Sequence, residues 1–69
     1  MDKEDIDNRF MYHAPKPGQM EMYQDIRTLA KELALEIDEV VPDGREKSIA
    51  ITKLEEVVMW SNAGISRGK

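Results

Sequence analysis

The chain has 69 residues, with 14 Asp plus Glu against 10 Lys plus Arg, a formal charge of −4 and a pI of about 4.9. That balance repels nucleic-acid polymers at long range instead of steering them in. No cysteine and a single histidine leave little with which to build a disulfide framework or a structural zinc site. At this length apolar burial, at roughly 25 cal/mol per Å², nearly cancels the roughly 1.5 kcal/mol per residue needed to order the chain, so self-association is the remaining route to stability.

One all-helical domain is expected over residues 1–69. The charged start Met1-Asp2-Lys3-Glu4-Asp5 and the shortness of every apolar run argue against a signal peptide or a membrane span, which gives the expectation of a soluble, cytoplasmic protein. In residues 1–11, Ile6 and Phe10 stand four apart among charges, the spacing of a short N-terminal helix. Residues 12–19 hold Pro15 and Pro17, which fix φ and remove two N–H donors, and end on Gly18-Gln19, so a shaped loop is expected there.

Over residues 20–41 Tyr23, Ile26, Ala30, Leu33, Ile37 and Val40 recur every three or four positions, with Ala34 and Val41 beside them, which predicts a helix of about six turns. Pro42 stops it, and Asp43 with Glu46 has the spacing of a capping box that would start a second long helix over 43–67. So short a turn demands an antiparallel hairpin. The second helix carries two apolar stripes, Ala50-Leu54-Val57-Ser61 and Ile51-Val58-Asn62-Ile65, with Met59 and Trp60 outside both, more than one partner helix can cover. Gly64 and Gly68 should loosen its end, where Arg67 and Lys69 complement the helix dipole.

Catalytic patterns are sparse. His13 has no cysteine and no carboxylate at ligand spacing, which favours a hydrogen-bonding role in the loop or a pocket over a metal site, and no cofactor is implied. Thr28, Ser48, Thr52, Ser61 and Ser66 sit in helical patterns without a neighbouring base, and Glu55 and Glu56 diverge by about 100° on a helix. Binding is better provided for. Tyr12 offers a flat face for a nucleobase, worth about 1–3 kcal/mol, and Arg27 and Lys31 on the first long helix, with Arg45 and Lys47 opening the second, supply phosphate donors. Asp25, Glu32 and Glu36 surround Arg27 and Lys31, so an ordinary ion-paired face is the competing reading. Trp60, among Val57, Val58 and Met59, reads as a packing residue.

Four blocks in order carry a resemblance: Tyr12-His13-Ala14-Pro15-x-x-Gly18-Gln19, Tyr23-x-x-Ile26-Arg27-x-x-Ala30-Lys31, Pro42-x-x-Arg45-Glu46-Lys47-Ser48 and Leu54-Glu55-Glu56-x-Val58-Met59-Trp60-x-Asn62-Ala63. Together, spanning residues 9–67, they resemble the phage anti-CBASS cyclic-oligonucleotide sponge family. The resemblance implies a helical protomer that assembles into a homohexamer in the host bacterial cytoplasm. It implies capture, without cleavage, of the cyclic nucleotide messengers of antiphage signalling. Cyclic dinucleotides such as cyclic GMP-AMP would lie in pockets between protomers and cyclic trinucleotides in separate pockets. On that basis Tyr12 stacks on a base and Arg27 faces the phosphates, while His13, Lys31, Arg45, Lys47 and Arg67 are further ligand-binding candidates. Without the resemblance, an oligomeric helical module that binds a host protein is the alternative, and a small enzyme ranks below both.

Overall fold

The computed structural model describes residues 1–68 and is all-helical, with α1 at Lys3–Phe10, α2 at Gln19–Val40 and α3 at Arg45–Arg67, and no strand among the described residues. Lys69, expected to complement the α3 dipole, lies outside the described residues. Asp2 starts α1: one carboxylate oxygen accepts from the Glu4 N–H at 2.8 Å and the Asp5 N–H at 3.3 Å, while Glu4 and Asp5 themselves sit where the helix dipole favours negative charge. An exposed Arg9–Asp5 pair at 3.3 Å spans one turn. No residue of α1 is buried, and Phe10 and Met11 at its end are exposed to solvent.

The loop turns into α2 through Lys16-Pro17-Gly18-Gln19, closed by the Gln19 N–H donating to the Lys16 carbonyl at 3.1 Å. Pro17 precedes the bend, and Gly18 takes φ 83° and ψ −14°, the left-handed position that a type II turn reserves for glycine. Gln19 is then locked in place. Its Oε1 accepts from the Lys16 N–H and its Nε2 donates to the Ile65 carbonyl of α3, both at 2.8 Å, and it is the single buried residue among those described.

α2 and α3 pack antiparallel, and this is the one extensive helix contact. The α2 face turned to α3 is Gln19, Tyr23, Ile26, Ala30, Ala34, Ile37 and Val41, all buried or half-buried. This differs from the predicted stripe, since Leu33 and Val40 stand exposed beside Met22 and Leu29 on the adjoining flank. The physical reason is the pair of alanines: Ala30 and Ala34 let the two backbones approach, and centring the seam on them turns the larger Leu33 and Val40 outward. On α3 the half-buried residues include Ala50, Ile51, Leu54, Val58, Ser61, Asn62 and Ile65, whereas Val57 and Trp60 remain exposed. Both predicted α3 stripes are half-buried except at Val57, which with Met59 and Trp60 leaves an apolar surplus outside.

Val41, extended at ψ 129° ahead of Pro42, ends α2. The expected capping box does not form. Gly44 occupies the N-cap position at φ 154°, a region essentially closed to side-chain-bearing residues, with no side-chain cap, and α3 starts at Arg45 instead of residue 43. Asp43 is drawn elsewhere: its Oδ1 accepts from the Lys47 ammonium at 2.9 Å, and the same ammonium reaches the Asp38 carbonyl at 2.6 Å and the Asp38 carboxylate at 3.0 Å. At the other end the helix runs unbroken through Gly64 to Arg67, so Gly64 does not loosen it.

The result is a slab 45 × 29 × 13 Å with a radius of gyration of 15.3 Å, against about 11 Å for a compact domain of this length. A layer 13 Å thick is one helix deep. No hydrophobic side chain is fully buried among the described residues, and the chain exposes 5888 Å², compared with about 4,400 Å² for a typical monomer of its mass.

Candidate ligand-binding surface

Two bonds fix the register of the hairpin: Gln19 to Ile65 at one end and Lys47 to Asp38 at the other. That register separates the seven candidate residues. Tyr12, His13 and Arg67 lie at the loop end, while Arg45 and Lys47 lie at the turn end, about 30 Å away at 1.5 Å per helical residue. Arg27, about 12 Å along α2 from Gln19, and Lys31 share the flank of α2 opposite Met22, Leu29 and Leu33, given about 100° of rotation per residue.

Tyr12 is 84% exposed. Arg27 donates to the Gln24 Oε1 at 3.1 Å, and neither it nor Lys31 enters an ion pair among the described residues. That face carries no ion pair to these two residues among the described ones, and both cations are exposed to solvent. Arg45 is likewise exposed at the first residue of α3. Lys47 differs from the others: with three oxygens on one ammonium and its side chain 13% exposed, it ties the helices together at the turn. That pairing raises the Lys47 pKa, chiefly through the hydrogen bond it donates to Asp43, and lowers the Asp43 pKa, chiefly through the hydrogen bond it accepts from Lys47.

His13 and Arg67 meet in a cleft of about 480 Å³ between α1, the loop and the end of α3, lined also by Lys16 and by the acidic Asp2, Glu4 and Asp5. A second, apolar groove of about 190 Å³ runs along the hairpin between Leu29 and Leu33 of α2 and Leu54, Val57 and Ser61 of α3. Among the described residues no three His, Asp or Glu side chains gather as a metal site, and no helix is long and apolar enough to cross a membrane. Sequence reasoning missed Gln19 and Lys16 as structural anchors. Nothing local signals a side chain whose partner lies 46 or 52 residues away.

The chain is a thin all-helical hairpin that exposes an apolar flank, Tyr12 and the cations Arg27 and Lys31. The family model described as "Acb2/Tad1, hairpin domain" matches residues 2–66, nearly the whole chain. The chain belongs to this family, the anti-CBASS cyclic-oligonucleotide sponges. No curated protein and no solved structure matches it.

Proposed function

We propose that this protein is a phage-encoded sponge that binds cyclic dinucleotides such as cyclic GMP-AMP, and cyclic trinucleotides at separate sites, and withholds them intact from CBASS effectors in the host cytoplasm. The family match over residues 2–66 carries this reading. A homohexamer forms the pockets, each completed by side chains from neighbouring copies. Supporting this is the surplus of roughly 1,500 Å² of surface over a typical monomer, about what each subunit of a multi-contact assembly would cover. The separation of the candidates along one 45 Å slab supports it too, since residues so far apart converge only between copies.

Tyr12 stacks on a base and Arg27 meets the phosphates. Two copies related by a two-fold axis double each contact, matching the two bases and two charges of a cyclic dinucleotide. Lys31, Arg45, His13 and Arg67 supply further donors, and Lys47 acts through the turn it holds. No cofactor, metal, nucleic-acid polymer or membrane takes part. Titration calorimetry with cyclic GMP-AMP and a panel of cyclic di- and trinucleotides tests the proposal, followed by chromatography of ligand released on denaturation. Heat of binding and recovery of intact ligand are expected. A flat titration across the panel, or a cleaved product, contradicts it.

A further inference from the structure

We infer that α1 is a strap held closed by side chains that an anionic ligand also needs, so that α1 docking and anion binding in the adjoining cleft exclude one another. The sponge reading supplies the identity of the natural anion; the strap itself stands on contacts within the chain. A helix of eight residues does not persist alone in water, and no residue of α1 is buried against the hairpin. What holds it is the treatment of its last carbonyls, which have no partner inside the helix.

The Asp7 carbonyl takes the Met11 N–H at 2.9 Å. The next two go to groups outside the helix. Asn8 O pairs with His13 Nε2 at 2.7 Å, and because a carbonyl only accepts, Nε2 carries the proton. Arg9 O accepts from the Arg67 guanidinium at 3.4 Å, from 58 residues away at the end of α3. Both donors line the cleft, together with Lys16. The same cleft is lined by Asp2, the N-cap of α1, and by Glu4 and Asp5 in its first turn.

A phosphate offers Arg67 short, charge-assisted bonds in place of one long bond to a neutral carbonyl, and so displaces it. Glu4, with Asp2 that caps the helix and Asp5 that pairs with Arg9, lines the same cleft, so an anion bound there meets like charge carried by α1 and disfavours its docking. Coupling of this kind is reciprocal: a strap that weakens anion binding is itself opened by the anion.

Hydrogen exchange of the α1 amides in the intact protein provides the test, with sodium pyrophosphate compared against sodium chloride at equal ionic strength, and cyclic GMP-AMP in a parallel arm. Pyrophosphate should speed exchange in α1 by about fivefold or more while leaving α2 and α3 unchanged. In Arg67→Gln, α1 should exchange fast from the outset and respond no further. Parent-like protection of α1 in Arg67→Gln, or α1 exchange unchanged or slowed by pyrophosphate, overturns the inference. If pyrophosphate opens α1 while no cyclic oligonucleotide binds, the strap stands and the sponge reading falls.

Discussion

The two ends of the hairpin and its outer flank solve opposite problems. At the ends two polar anchors find their partners inside the chain: Gln19 bridges Lys16 and Ile65, and Lys47 gathers Asp38 and Asp43. Along the flank Met22, Leu29, Leu33 and Val40 of α2, with Val57 and Trp60 of α3, find nothing. One copy thus determines the register of its own helices without hiding the apolar surface that would make the arrangement stable. Geometry is specified within the subunit, and in the proposed assembly stability is left to its neighbours.

The sharpest way to break that contrast is a charge on the flank. Leu33 is 50% exposed in one copy, and an exposed substitution in a self-sufficient monomer changes stability by no more than about 0.5 kcal/mol. If neighbours cover the flank, Leu33→Glu buries an unpaired carboxylate in an apolar contact and should cost several kcal/mol, roughly 3 or more, dissociating the assembly. Urea titration with light scattering reads both effects. Next in size is Gln19→Leu, which strands the Ile65 carbonyl and the Lys16 N–H at the loop end and should cost about 1–3 kcal/mol by the same titration. A cost near zero would mean that this end is not fastened by Gln19.

Tyr12→Ala and Arg27→Ala touch neither the bonds that fasten the ends nor the helix seam. Each should weaken capture of cyclic GMP-AMP at least tenfold, about 1.4 kcal/mol, with the oligomer intact by light scattering. Parent-like binding by both variants would move the pocket elsewhere.

The smallest effect belongs to the turn end and depends on pH. Asp43 has its pKa lowered by Lys47, so its contribution is present above the ordinary carboxylate value and is lost as pH falls through the depressed one. Lys47 has its pKa raised, so its contribution is complete below the ordinary lysine value of 10.5 and is lost as pH rises through the elevated one. Melting temperature should therefore hold a plateau from about pH 5 to pH 9 and fall slightly beyond both edges. Lys47→Met should flatten this component at both edges, and an unchanged profile would assign the pH dependence to other groups.

Local signals carry much of this fold. Period-3.6 spacing marks both long helices, and Pro42 marks the break between them. The helix face is a different matter: Ala30-Ala34-Ile37-Val41 and Ala30-Leu33-Ile37-Val40 both satisfy the same period, and only the closeness of α2 to α3 selects the first. Asp43 illustrates a second limit. Its spacing to Glu46 suits a capping box, but Lys47 lies one turn from it and offers a full charge, which a backbone N–H does not. Tyr12 and Arg27 were singled out by residue type and resemblance, and a lone subunit displays both of them without uniting them. The proposed pockets, shared between copies, would leave no mark within a single hairpin.

The claim beneath all of this is that one hairpin cannot stand alone, and the concentration dependence of its thermal unfolding measures that most directly. For an obligate assembly the midpoint rises with protein concentration, because folding and association are one equilibrium. Across a hundredfold dilution, with mass followed by light scattering, the account expects a falling midpoint and a folded species that is a multiple of the 7.9 kDa chain at every concentration. A folded 7.9 kDa subunit whose midpoint does not move on dilution would contradict it.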